Sequence, residues 1–248
     1  MMEQNVVKSA ARVLHILEYF DEVKRASSVA EVAEHYGWPH SSTSVLMRSL
    51  VKLGYLHYDA SERSYFPSTR VALLGDWIQR DLFKDGQLTA LMRELNGETG
   101  ETVILAAQNG LHSQYLRVLQ GTNTLRMHLH IGTLRPLFTS GTGRALLSQL
   151  DYAVIRKLAH KYNAGLEAQS PLDLAQVLEQ AAADRAHGYA MSLNHVTPRA
   201  GSIAMPLPTH PEDKPLVIGL AGLSDRLIAN EQRYVLAIRR GVQALLGD

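Results

Sequence analysis

Residues 37–54, GWPHSSTSVLMRSLVKLG, read as a turn followed by a short helix, and the rest of the fold follows from that reading. Pro39 closes the turn, and Ser41 or Ser42 can cap the new helix with a side-chain oxygen. Leu46, Leu50 and Leu53 recur at helical spacing and are expected to face inward. The other face carries His40, Ser42, Ser44, Val45 and Arg48, all small or hydrogen-bonding. Gly54 ends the helix, since glycine takes a positive φ without strain. A helix polar on one side with so few charges is not an ordinary solvated face.

Upstream, residues 7–20 place Val13, Leu14, Leu17 and Phe20 at helical spacing, and the polar run DEVKRASS interrupts that helix. Ser28-Val29-Ala30-Glu31 is a capping box, which opens a short helix that ends at Gly37. Three helices, the last two joined by a glycine-containing turn, match the helix-turn-helix plan. After Gly54 the period changes to two. Residues 55–58 and 63–66 read as strands around Asp59-Ala60-Ser61-Glu62, which makes a wing. Its Arg63 and tip serine are placed to meet phosphate, while Tyr55 and Phe66 are expected to pack under the helices.

The 248 residues suffice for one large or two modest domains, and 46% hydrophobic with 20% charged residues suits a packed protein. Without cysteine, disulfides, zinc–thiolate sites and thiol nucleophiles are excluded. No signal-peptide pattern and no apolar run of about 18 residues is present, so a cytoplasmic location and no membrane partner are expected. The net charge of +1 does not announce a nucleic-acid partner. Distribution matters more: between Glu34 and Asp59 there is no acidic residue, while Arg48, Lys52, His35, His40 and His57 lie inside.

The remainder reads as α+β. A helix over 88–96 precedes strands over 102–108 and 113–119, joined across Asn109-Gly110, a strong hairpin signal. A strand is expected over 125–131, then helices over 143–150, 153–161 and 172–187. Strands over 189–193, 202–207 and 216–220 and a final helix over 231–246 complete a mixed sheet with flanking helices. Thr139-Ser140-Gly141-Thr142-Gly143-Arg144 opens a helix with small residues. From the residues alone, a helix cap whose glycines permit close packing and an anion site on free amides are equally open. His128 and His130 share one strand face but need a third ligand to hold a metal, so no metal site is assigned. Arg117 and Arg126, on neighbouring predicted strands, are each able to pair with an acid ligand. No nucleophile elbow, H-E-x-x-H motif or dinucleotide glycine pattern is present, so neither an enzyme nor a cofactor is expected.

The run AARVLHILEYF, the capped SVAEVAEHYGWPHSSTSVLMRSLVKLGYL and the wing ending before Val71-Ala72-Leu73-Leu74-Gly75 resemble the IclR family of bacterial transcription regulators. The resemblance continues through GETGETVILAAQNG, PLFTSGTGRALL and HGYAMSLN…GSIAMPLP, and so covers almost the whole chain in the family's order. It implies a winged helix-turn-helix over 1–68, a linker helix over 69–84 striped by Val71, Leu74, Trp77 and Ile78, and a GAF-like effector-binding domain over 85–248. Gly141 and Thr142 fall on one wall of the family's small-molecule pocket, and Ser192, Ser202, Gly219 and Ala221 on the others. Ser192 stands where an acidic residue can occur, and Gly219 and Ala221 are smaller than the hydroxyl residues sometimes found there. A roomier, less polar pocket is expected, suited to an aromatic carboxylate more than to a short one.

If the helix over 40–53 enters a major groove, His40, Ser41, Ser42, Ser44, Val45 and Arg48 approach base edges or phosphates, with Val45 available to a thymine methyl. Relatives often carry a basic or histidine residue near Ser44 and Val45; its absence implies fewer charged contacts and a shallower dependence on salt. One such module binds weakly, so a near-palindromic operator and a homodimer or homotetramer are expected. The rival reading is a small-molecule enzyme that uses the N-terminal helices only to oligomerise.

Overall fold

The computed structural model describes residues 6–74, 86–165, 171–208 and 214–245. Its chain divides into two compact units, Met1–Arg80 and Asp81–Asp248.

In the first unit, α1 (Lys8–Val23), α2 (Val29–Tyr36) and α3 (His40–Lys52) are followed by the hairpin of β1 (Leu56–Asp59) and β2 (Ser64–Pro67) and by the short α4 (Thr69–Leu73). The capping box forms: Ser28 Oγ accepts from the Glu31 amide, and the Glu31 carboxylate accepts from the Ser28 amide at 2.8 Å. Gly37 takes a positive φ after α2. Past α3, Gly54 (φ +78) lets the Gly54 and Tyr55 amides reach back to the carbonyls of Val51 and Leu50, a Schellman closure. Ile16, Tyr19, Phe20, Val32, Met47, Leu50, Leu56 and Tyr65 form the core. Each such fully buried side chain contributes about 1.5–3 kcal/mol, so this cluster rather than helix propensity holds the short helices.

Several sequence expectations shift by a residue or two here. The buried stripe of α3 is Thr43, Met47 and Leu50; Leu53 lies past the last helical residue and is 57% exposed. Neither Ser41 nor Ser42 caps the helix: Pro39 is the N-cap, and no side chain accepts there. In the wing Tyr65 is buried and Phe66 is exposed, because the strand alternation starts one residue later than expected. The linker helix is described only as far as Leu74, and Trp77 and Ile78 lie outside the described residues.

The second unit runs α5 (Gln87–Thr99), β3 (Thr102–Asn109), β4 (His112–Leu119), β5 (Leu134–Pro136), α6 (Gly141–Leu147), α7 (Tyr152–Ala164), α8 (Leu174–His187), β6 (Ala190–Leu193), β7 (Ala200–Pro206), β8 (Leu216–Leu223), α9 (Ser224–Ala229) and α10 (Glu231–Ala244). The sheet order is β5-β4-β3-β8-β7-β6. Every pairing is antiparallel, so the sheet is not mixed in strand direction. Alternation along the strands feeds two cores. Val103, Leu105, Ile218 and Leu220 pack with Leu95 of α5 and Ile238 of α10. Ile104, Ala106, Val217 and Ala204 pack with Leu146 of α6, Ile155 of α7 and Ala181 of α8. Helices therefore cover both faces, and the α+β class stands.

Residues 125–131 are not a strand, although the expected alternation survives in the side chains: Leu129 is buried while His128 and His130 are exposed. The segment finds no ladder partner, because β4 pairs instead with β5, a three-residue strand further on.

Candidate functional site

The exposed face of α3 is the first candidate. His40, Ser41, Val45 and Arg48 are exposed, and Ser42 and Ser44 are half-buried. Arg48 has no recorded acidic partner among the described residues. Ser42 Oγ donates to the Pro39 carbonyl at 3.0 Å and accepts from Arg12 Nη1 at 3.4 Å. Arg12 also stands 5.0 Å over the Trp38 ring. This α1 cation beside the start of α3 was not among the sequence candidates; it falls on the rim of a helix where periodicity speaks only of apolar residues. In the wing, Arg63 is exposed and takes a left-handed φ of 51° at the turn. The Ser61 hydroxyl is already committed to the Asp59 carboxylate.

The second candidate is a cleft on the α6 side of the large sheet, enclosing about 390 Å³ with its open mouth included. Register builds its floor. Ser192 pairs with Ser202, Ser202 with Ala221, and Ala221 with Thr102, so four small side chains stand in one row across β6, β7, β8 and β3. Ser192, Ser202 and Ala221 line the cleft. Gly141 lines it from the start of α6, where a Cβ would stand 2.5 Å from Ser202 Oγ; glycine permits this close approach. The segment through Met127 and Leu129 forms one wall, the loop through His195 and Val196 another, and Tyr115 with Arg135 the β4–β5 end.

Two of the pocket residues expected from sequence lie elsewhere. Thr142 is fully buried, and its Oγ1 accepts from Ser113 Oγ at 2.9 Å, which fastens α6 to β4. Gly219 sits one row below the floor, between Ile104 and Ala204, where a Cβ would meet the Ile203 carbonyl at 2.8 Å. Its small size admits the neighbouring strand β7 and does not enlarge the cleft. The arginine ending TSGTGR also faces away. Arg144 Nε and Nη2 donate to Asp184 at 2.9 and 2.6 Å, and Nη1 donates to the Met191 carbonyl. Arg117 donates to Thr89 and Arg126 to the Asn123 carbonyl, and neither lines the cleft. The rings of His128 and His130 are 4.8 Å apart, with no third metal ligand among the described residues.

No carboxylate lines the cleft, and Arg135 is its one permanent cation among the described residues. The guanidinium lies 5.8 Å from the centroid of the Tyr115 ring. Burial pushes the Tyr115 phenol above its ordinary pKa, and the nearby Arg135 and Thr142 oppose that shift, so the phenol is neutral at physiological pH. Arg135, Tyr115, Met127, Leu129 and His195 were not assigned to the cleft from sequence: Arg135 sits on a three-residue strand and His195 on a loop, where spacing carries no signal, and the alternation over 113–119 and 125–131 gave Tyr115, Met127 and Leu129 a face but not what that face would meet.

Two family models match the chain: the IclR helix-turn-helix domain over residues 9–60 and the bacterial transcriptional regulator IclR C-terminal domain over residues 81–245. The chain belongs to the IclR family. It is a DNA-binding transcriptional regulator, as its relatives are, and the enzyme reading falls away. It is similar to the transcriptional repressor IclR of Escherichia coli, 28% identical over 191 residues, spanning 74% of this chain and 68% of the relative. It is similar to the HTH-type regulator KipR of Bacillus subtilis, 24% identical over 94% of this chain and 92% of the relative. Among solved structures, an IclR regulator from Alicyclobacillus acidocaldarius has the same fold over 97% of this chain and 98% of its own, with a TM-score of 0.64 at 21% identity. An IclR effector domain from an Acinetobacter species matches 67% of this chain and 98% of its own, with a TM-score of 0.59 at 26% identity. Control by effectors is general in the IclR family. No helix among the described residues is long and apolar enough to cross a membrane.

Proposed function

We propose that operator binding by this regulator is controlled by an organic acid with an apolar, aromatic body, held in the cleft of the second unit. The observation that carries this reading is the composition of the cleft among the described residues: one arginine, no carboxylate, and a lining of Met127, Leu129, Val196 and Ala221. An anion gains a charge-assisted partner there, and a ring covers surface that water would otherwise wet. The coupling is thermodynamic: the acid and the operator favour different conformations, and each alters the affinity of the other by the same factor.

On the DNA side, the proposed contacts are His40, Ser41, Ser42, Ser44, Val45 and Arg48 of α3, with Arg63 of the wing on phosphate. The target is a near-palindrome bound by a homodimer or homotetramer in the cytoplasm. Residues 69–84 act as the linker between a DNA-binding domain over 1–68 and an effector domain over 85–248.

A gel shift with the DNA upstream of the protein's own gene tests operator binding. A thermal-shift titration with equal millimolar benzoate and pyruvate tests the cleft. Benzoate is expected to raise the melting temperature and to change operator occupancy over the same concentration range; a shift with pyruvate alone would refute the apolar-acid reading.

A further inference from the structure

We propose that Arg135 is the residue by which this protein recognises the acid group of its effector, and that it selects a monocarboxylate whose flat apolar body lies along the floor row. The inference rests on the cleft being the effector site and goes further by naming the residue and the charge state it accepts.

Three observations assign the role to Arg135. The first is its direction. Arg135 pairs in register with Ser113, so the two side chains share one sheet face. Ser113 meets Thr142 of α6 on that face, which directs the guanidinium toward the cleft and away from the opposite core. The second is the state of two of the hydroxyls that line the cleft. Ser192 spends its hydroxyl proton on the Thr139 carbonyl, and Ser140 spends its own on the Pro136 carbonyl while accepting from the Gly143 amide. A hydroxyl has one proton to give, so neither serine has a donor left for a ligand oxygen. The third is support. The Tyr115 ring stands 5.8 Å from the guanidinium at the cleft end, and the charge has no recorded carboxylate among the described residues.

Selectivity follows from what surrounds that cation. A carboxylate takes two parallel N–H bonds from a guanidinium, a geometry that a neutral amide cannot match. Beyond Arg135 the ligand's body meets Met127, Leu129, Val196, Ala200 and Ala221. A second carboxylate on the same ligand would be desolvated against that apolar wall without a fixed counter-charge, so diacids are rejected. His195 lines the cleft from the loop that follows β6.

The test is a calorimetric titration of the full-length protein and of its Arg135→Met and Arg135→Lys variants with benzoate, its neutral isostere benzamide, and phthalate. The expected result is that wild type binds benzoate in preference to benzamide and phthalate. Arg135→Met should weaken benzoate on the order of 10- to 100-fold and benzamide, which takes one N–H bond instead of two charge-assisted ones, far less, and Arg135→Lys should recover part of the loss. Retained benzamide binding shows that the variant still forms the cleft, and the lysine variant keeps the test alive if the methionine variant folds poorly. Equal benzoate affinity in wild type and Arg135→Met overturns the assignment while leaving the cleft as the effector site. Equal affinity of wild type for benzoate and benzamide, or tighter binding of phthalate, also overturns it. Binding of none of the three by wild type, with pyruvate bound instead, overturns the cleft reading and this inference together.

Discussion

Two stretches of this chain look alike and end in opposite environments. HSSTS opens α3 and TSGTG opens α6, and both are short runs of hydroxyl residues leading into a helix. The first turn of α3 leaves His40 and Ser41 exposed, whereas Gly141, Thr142 and Gly143 of α6 are all buried. Glycine makes the difference. It lets α6 descend onto the sheet until backbone touches backbone, while α3 keeps its side chains as spacers and as an exposed polar surface. Small polar residues are thus read by whether a glycine sits among them at a point of close approach.

The largest effect is expected from crowding the second glycine of α6, which packs on the loop after β5. A Cβ at Gly143 would stand 2.2 Å from the Leu137 carbonyl oxygen, which is backbone and cannot swing aside. Gly143→Ala should destabilise the second unit by about 3 kcal/mol, the upper end of ordinary overpacking, read by urea denaturation. On α3 the corresponding probe is functional. Arg48→Ala should weaken operator binding by about 1–3 kcal/mol and relax preference at one base pair; equal weakening on random DNA would place the guanidinium on phosphate instead. A smaller change is expected at the helix that supports α3: Ser28→Ala removes one arm of the capping box and should lower stability by about 1 kcal/mol.

The fourth probe is pH. Burial, followed by the nearby charges of Glu18 and Glu22, pushes the Tyr36 phenol up to about 12 from an unfolded value near 10. Raised in the folded state, it contributes stability that is fully present below pH 10 and is lost as pH rises toward 12. The unfolding free energy of wild type should therefore fall over that window, and Tyr36→Phe should flatten the slope. The smallest effect is expected at Ser44. Ser44→Ala should change stability by no more than about 0.5 kcal/mol, because no hydrogen bond of its side chain is recorded among the described residues, and should register only in operator preference.

Local chemistry made the first unit legible. The Ser28–Glu31 box, Gly37, Gly54 and the turn after Asp59 act over three or four residues, and each formed where its spacing placed it. The error at Leu53 arose because periodicity gives a stripe but not its rotation: centred on Met47, the stripe leaves Leu53 beyond the helix end. In the second unit, alternation over residues 125–131 reported which side chains turn inward and was silent on whether a neighbouring strand was there to bond. That backbone is pinned instead by side chains: Thr102 donates to the Met127 carbonyl, Gln120 to the Leu129 carbonyl, and Arg226 to the Leu125 carbonyl. Arg135 was illegible for a related reason, since a three-residue strand has no period to read.

The floor row has a further consequence, in how such a protein can change over generations. The ladder that aligns Ser192, Ser202 and Ala221 is made of backbone groups and is indifferent to what each residue carries above it. Width and depth of the cleft are therefore set one position at a time, like the wards of a lock cut into a blade whose shank stays the same. On the reading of the cleft proposed above, a lineage can exchange Ala221 for a neighbour in size and meet a new metabolite, while α6 stays seated through Gly141 and the sheet keeps its register. Recognition drifts, and the architecture that reports it holds still.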